Sequence, residues 1–322
     1  MIRGIGISPS FIFKRYQSTG IGKNGIYVIA LPITTKKSYI YCHHKPSLLS
    51  STQARSFPLI TKLENKATAL VLKGWSKLSN SKISINVKVT NFVRKLLNSI
   101  HYEEACLRSF PSRKSMIREI NEEALNNISD MTDKNNKLIQ TQIDELNIPL
   151  NQIKPIPLFH PKFINTTNIN NQLNAFKDDA YSNHLKYAII CGIGIPLSLP
   201  FALVPVVPNV PGFYIAYRFY CNVKALMGIN HLKYLLDTKD ESKHLIFEKA
   251  PKIDDIYKKH LSDKELYFED IQEDERVIIS NEIIEDLTEE LNLPELTEDL
   301  KKAFRQETLR LNKNIKVDDL VQ

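Results

Sequence analysis

The sequence predicts a mainly α membrane protein: one proline-rich helical hairpin, a small N-terminal α+β region and an acidic helical C-terminal tail. Three observations predict it. Residues 187–207 (YAIICGIGIPLSLPFALVPVV) contain no Asp, Glu, Lys, Arg or His and consist mainly of Ile, Leu, Val, Ala and Phe. At about 1.5 Å per residue, roughly 20 such residues cover a hydrocarbon core of about 30 Å, so the run just meets that length. Five prolines, Pro196, Pro200, Pro205, Pro208 and Pro211, interrupt it and its continuation. Each removes a backbone donor, which a membrane helix tolerates only where Ser, water or a neighbouring helix supplies a substitute. Ser198 is the local candidate. Finally, the net charge of +7 hides an asymmetry: residues 1–236 carry 29 Lys and Arg against 12 Asp and Glu, and residues 237–322 carry 14 against 24.

Five segments follow from this pattern. Residues 1–18 hold Arg3, Lys14 and Arg15 among apolar residues and serines, and the first carboxylate of the chain is Glu64. Cations and apolar residues without anions are the composition of a mitochondrial presequence. Residues 19–111 form the α+β region. Apolar, β-branched and aromatic residues at 26–31 and 38–42 predict a strand hairpin with its turn over 32–37. Helical spacing places a helix over 58–78, with Trp75 as a packing anchor, and another over 87–99, with Val89, Phe92, Val93, Leu96 and Leu97 on one face. Residues 112–180, rich in Asn, Asp, Lys and Gln and broken by Pro149, Pro155, Pro157 and Pro161, read as a linker with a short helix over 114–126. The membrane-embedded hairpin occupies 181–236 and the acidic helical region 237–322, where Ser280 or Asn281 caps a helix over 282–291. Beyond Pro294, Leu296, Leu300, Ala303, Phe304 and Leu311 form an apolar stripe.

Within the hairpin, Asn209-Val210-Pro211-Gly212 reads as a turn that starts a second arm. At 100° per residue, Tyr214, Arg218 and Asn222 share one stripe with Cys221 beside it, and Phe219, Tyr220 and Met227 lie opposite. A cation in an apolar setting is costly and normally faces a polar path or a partner. Carbonyls freed by Pro205 and Pro208, together with the Asn209 side chain, are oxygen ligands of the kind a K⁺ ion prefers. His184 and His231, near the two ends of the hairpin, are the candidates for gating proton movement. Against a self-sufficient ion carrier, no Asp or Glu lies between Lys186 and Leu236.

Other chemistries find little support. Cys42, Cys106, Cys191 and Cys221 form no C-x-x-C pair, and His43-His44 lacks a third ligand at fixed spacing. Glu103 and Glu104 beside His101 invite an acid–base reading, but adjacent helical residues point about 100° apart. No phosphate-cradling Gly loop or nucleophile elbow occurs, and no RNP, KH or zinc-knuckle spacing supports nucleic acid as a partner. The expectation is a protein that is not an enzyme, with no cofactor and no metal site.

Several stretches together resemble the mitochondrial potassium/proton exchange-related family. Residues 195–232 (IPLSLPFALVPVVPNVPGFYIAYRFYCNVKALMGINHL) carry it most clearly, through Pro205-Val-Val-Pro208-Asn209-Val-Pro211, Tyr214-x-x-Tyr217-Arg218 and Gly228-x-x-His231-Leu232. Residues 30–42 (ALPITTKKSYIYC), 96–111 (LLNSIHYEEACLRSFP) and 295–306 support it. The resemblance implies a mitochondrial inner-membrane protein, with large segments facing the matrix, linked to electroneutral K⁺/H⁺ exchange and matrix volume. Its partners would be inner-membrane lipids, K⁺ and H⁺, and copies of itself or a larger membrane complex. The role is then a subunit or regulator, or an oligomeric exchanger. The competing class is a membrane-bound interaction protein that tethers mitochondrial translation or protein-insertion machinery through basic amphipathic helices.

Overall fold

The computed structural model describes residues 26–44, 84–111, 155–198, 200, 210–237, 244–262 and 275–321. Among them, a four-stranded sheet runs in the order β2-β1-β3-β4, where β1 is Tyr27–Pro32, β2 Ser38–His43, β3 Ile156–His160 and β4 Leu245–Lys249. β1 and β2 are the expected hairpin, antiparallel, with Tyr27 opposite His43 and Pro32 opposite Ser38. Thr34 shapes its turn: the hydroxyl oxygen accepts from the Lys36 and Lys37 N–H groups at 3.2 and 2.9 Å and the hydroxyl donates to Glu275 Oε1 at 2.6 Å. A Ser or Thr hydroxyl that binds backbone two or three residues ahead stabilises such a turn.

β3 lies parallel to both β1 and β4. Parallel neighbours cannot be joined by a tight turn and need a crossover of a dozen or more residues. The first crossover, from the hairpin to β3, contains α1 (Ser84–Ser99) and α2 (Glu103–Ser109). The second, from β3 to β4, contains α3 (Thr166–Asp178), α4 (Ala180–Leu197) and α5 (Val210–Leu235). The helical hairpin α4–α5 is therefore part of the connection between two adjacent strands. Its root is held by the sheet.

Local chemistry accounts for the elements. All six residues of β1 are buried, as expected of an inner strand covered on both faces, which reads as a continuous apolar run. Pro157 sits in β3 without breaking it, because pairing with β1 spans only Leu158 and Phe159; on that side the missing N–H costs no ladder bond. Asn165 caps α3 by accepting from the Thr167 N–H. In the tail, α6 (Pro251–His260), α7 (Asn281–Glu290), a 3₁₀ turn at Pro294–Leu296 and α8 (Thr297–Val321) follow β4. Ser280 is the cap the sequence indicates, its Oγ accepting from the Ile283 N–H at 3.3 Å, and Asn292, at φ 53°, closes α7 in the left-handed region that Asn tolerates. Leu296, Leu300 and Ala303 of the predicted stripe are buried. They join a core that includes Val28, Ile29, Leu158, Ile229, Leu232 and Ile284.

Two expectations are corrected. The mainly α membrane protein is overturned: the organising element is a mixed sheet with helices around it, and among the described residues no helix is long and apolar enough to cross a membrane. The physical reason is where α4 begins and ends. It starts at Ala180, in the polar stretch before Tyr187, and stops at Leu197, with Ser198 as its C-cap. Its apolar portion, from Tyr187 to Leu197, spans about 16 Å against a hydrocarbon core of about 30 Å. The stretch read as linker also supplies β3 and α3, and the acidic tail supplies β4. Strands of five residues flanked by prolines and charges carry too little alternation to stand out. The presequence over 1–18, the helices over 58–78 (with Trp75) and 114–126, and Pro205, Pro208 and Asn209 lie outside the described residues.

Gly228 marks the tightest contact between α5 and the body. A Cβ at that position would lie 1.9 Å from the Leu107 carbonyl oxygen of α2. Gly costs about 1 kcal/mol relative to Ala inside a helix, and here the backbone approach offsets that cost. Gly228→Ala should force α2 and α5 apart and lower unfolding free energy by about 1–3 kcal/mol in denaturant titration. A second prediction concerns Glu275, whose Oε1 lies 2.6 Å from Arg310 Nη2. Burial alone would raise its pKa, but the Arg310 and Thr34 hydrogen bonds and the charges of Arg310 and Lys37 outweigh that and hold it below the ordinary 4.5. A depressed carboxyl contributes stability above its unfolded pKa and loses it as pH falls through the folded value. Thermal melts of Glu275→Gln should therefore show a flatter acid limb below about pH 4.5 than the parent chain.

Candidate functional site

The polar stripe of α5 does not face solvent; it faces α2. Arg218 forks onto Glu104, Nη1 to Oε1 at 2.7 Å and Nη2 to Oε2 at 2.8 Å, with the two side chains 15% and 8% exposed. This bidentate geometry is the strong form of a carboxylate–guanidinium pair. Burial disfavours the Arg218 charge, and the hydrogen bond and negative charge of Glu104 outweigh it, so its pKa rises. Both acids stand in the first turn of α2, where the helix dipole favours negative charge. Their directions differ, as residues 100° apart must: Glu104 points to α5, and Glu103 points to Lys37 at 3.6 Å and His101 at 3.4 Å.

One turn further along α2, Arg108 Nη1 donates to Tyr217 Oη at 3.3 Å and Cys221 Sγ at 2.8 Å. Asn222, one turn beyond Arg218, donates from Nδ2 to the Arg218 carbonyl at 2.7 Å. Its Oδ1 lies 2.9 Å from His184 Nδ1 on α4, a contact that calls for the proton on His184 Nδ1. A continuous polar chain thus runs from α2 through α5 to α4.

Beside this chain opens a cavity of about 220 Å³ lined by Leu97, His101, Glu104, Arg108, Tyr217 and Lys302, among others. Lys302 Nζ donates to the Leu97 carbonyl at 3.0 Å, and burial lowers its pKa against the opposing charges of Asp299 and Glu104. Gln306 pins the same corner, accepting from the Tyr102 N–H at 2.9 Å and donating to the Ile100 carbonyl at 2.9 Å. Beneath it, burial pushes the Cys106 thiol up. Among the described residues, no group of three or more His, Cys, Asp or Glu side chains could hold a metal ion. Chemically, the arrangement neutralises a cation and locks helices together.

Of the residues the sequence singles out, the structure brings Tyr217, Arg218 and His184 into one network, with Tyr214 half-buried on the same helix. Pro211 is exposed in the first turn of α5. His231 belongs elsewhere, fully buried in contact with the edge of Phe110 at 6.3 Å and the face of Tyr234 at 6.5 Å. Tyr234 stacks in turn on His244 at 4.4 Å. Cys191 and Cys221, on opposite arms, are both free. Sequence reasoning did not connect Glu104 and Arg108 with Arg218. The available signal was their own spacing: four residues apart they share a helical face, in a segment already tied to the hairpin by the resemblance.

Removing one partner of a largely buried pair leaves the other charge uncompensated, at about 3 kcal/mol. Glu104→Gln should cost about that much in chemical denaturation, and combining it with Arg218→Met should recover part of the loss. Additive effects of the two substitutions would show that the pair is not coupled.

The pattern of the family described as mitochondrial K⁺-H⁺ exchange-related matches residues 27–236, from β1 to the end of α5. An uncharacterized protein of Saccharomyces cerevisiae is 29% identical over 98% of this chain and 99% of its own length. An uncharacterized protein of Schizosaccharomyces pombe is 28% identical over 70% of this chain and 83% of its own length. No solved structure matches. With the matched region covering both crossovers and the Arg218–Glu104 pair, the chain belongs to the mitochondrial K⁺-H⁺ exchange-related family.

Proposed function

We propose that this protein works at the mitochondrial inner membrane as a subunit or regulator of potassium/proton exchange, and so of matrix volume, rather than as a complete carrier or an enzyme. Family membership supports the process. The observation that carries the role is the Arg218–Glu104 fork. A carrier that swaps K⁺ for H⁺ needs an oxygen site for which the two ions compete. Among the described residues, Glu104 is the carboxylate bonded to the hairpin, and both of its oxygens are committed to a guanidinium. A fixed positive charge at 2.7 Å opposes K⁺ at that place. The pair instead couples the hairpin rigidly to the α/β body. In this reading the body faces the matrix, the hairpin meets the membrane, and ion movement occurs in a larger complex with K⁺ and H⁺ as its cargo.

Mitochondria lacking the protein should swell and recover their volume on addition of a K⁺/H⁺ ionophore. Vesicles reconstituted with the purified full chain alone should show no K⁺-dependent proton flux above empty vesicles. Flux by the chain alone would overturn the companion role; unaltered volume and exchange in the depleted mitochondria would overturn the process.

A further inference from the structure

Among the described residues, the far end of the α4–α5 hairpin presents a broad exposed apolar surface. Along α4, Tyr187, Ile189, Ile190, Ile193 and Leu197 are exposed, the last two by 60% and 70%; on α5, Phe213, Phe219 and Tyr220 are exposed as well. The small residues turn inward: Gly192 faces the Phe219 ring and Gly194 the Ile215 side chain, so the close approach they permit is used between the two arms. The bulky residues of α4 named above turn outward.

Three features decide what this surface fits. The first is its breadth. At 100° per residue the exposed side chains of α4 from Leu185 to Leu197 spread over about 200° of its circumference, and α5 adds a further face. A seam against one partner helix occupies a stripe of about 100°, whereas helices that are apolar nearly all round belong in a protein core or in lipid. The second is charge. Residues 187–217 contain no Asp, Glu, Lys, Arg or His, and Arg218, next in line, is neutralised by Glu104. Immediately below the apolar band stand Lys186 and Lys224, one on each arm. The His184–Asn222 contact places these two positions at the same level of the hairpin. Lys224 lies over the Tyr220 ring at 5.5 Å, an aromatic–cation arrangement suited to the headgroup layer. The third is length. The apolar part of α4 reaches about 16 Å, half of a hydrocarbon core of about 30 Å.

We infer that the exposed apolar face of α4 and the first turns of α5 docks into one leaflet of an anionic bilayer without crossing it, with Lys186 and Lys224 at the headgroups. This inference rests on the membrane placement proposed above and adds to it the residues and the depth. It also accounts for the buried ion pair: a hairpin entering lipid presents no unneutralised cation to hydrocarbon, because the carboxylate for Arg218 comes from the body of the protein.

The test is flotation of the full chain with vesicles of phosphatidylcholine, with and without phosphatidylglycerol. The parent chain should float, and do so more with the anionic lipid. Ile190→Glu combined with Ile193→Glu places two charges in hydrocarbon and should lower the vesicle partition coefficient about a hundredfold. Lys186→Glu and Lys224→Glu should each reduce the preference for anionic vesicles about fivefold. Ile190, Ile193 and Lys186 are exposed and Lys224 is half-buried; circular dichroism melts verify that all the variants fold. For depth, Ile193→Trp in a Trp75→Phe background should be quenched by bromine on lipid chains of the leaflet to which protein is added, and not by bromine confined to the opposite leaflet. A parent chain that stays out of the vesicle fraction would overturn the inference, as would Glu variants that float like the parent or quenching from the far leaflet. Light scattering that shows a lipid-free dimer dissociated by the same Glu substitutions assigns the face to a second copy and equally overturns it. These outcomes are separate from ion flux: docking without any effect on mitochondrial volume would refute the exchange reading and leave the lipid site standing.

Discussion

The bidentate bond between Arg218 and Glu104 is the constraint on which the rest of the molecule depends. A guanidinium in an apolar helical hairpin is tolerable only if its charge is met, and the hairpin contains no carboxylate to meet it. The partner comes from α2, more than a hundred residues earlier. This requirement sets α2 and α5 side by side, and Gly228, against the Leu107 carbonyl, allows them to come that close. Arg108, Tyr217, Cys221, Asn222 and His184 then extend the contact along and across the hairpin.

The sheet explains why such a long-range pair forms at all. Because β3 and β4 are parallel neighbours, the chain between them must leave the sheet and return, and α3, α4 and α5 make that excursion. Because β1 lies beside β3, the earlier excursion through α1 and α2 returns to the same place. Two crossovers rooted on adjacent strands bring α2 and α5 together. The C-terminal half of α5 is buried against the body through Ala225, Ile229, Leu232 and Leu235, while its N-terminal turns and the end of α4 project with apolar side chains outward. One helix therefore serves both as a structural member and as a surface.

Parts of this were legible in the sequence for reasons that are local. The β1–β2 hairpin shows in its two β-rich runs around a polar turn, α7 in its Ser280 cap, and the buried face of α8 in the spacing of Leu296, Leu300 and Ala303. The grouping of Tyr214, Arg218 and Asn222 on one side of α5 follows from helical geometry alone, and Arg218 with Asn222 does face inward. The strands β3 and β4 were not legible. IPLFH contains a proline and LIFEK lies in an acidic region, and what makes them strands is the neighbour each one finds. The apolar run misled for a related reason, since counting residues does not reveal where α4 begins or that it ends at Leu197.

By itself the sequence determined the elements whose causes lie within one or two turns of chain, the family, and the presence of a cation that needs an explanation. Tertiary structure alone decided the sheet, the identity of the cation's partner and the inward or outward sense of the described apolar residues in the hairpin. The physical reason is range. Periodicity and capping act between residues a few positions apart, whereas an ion pair and a parallel strand pairing join residues 114 and roughly 90 positions apart, and nothing local records which distant group will arrive.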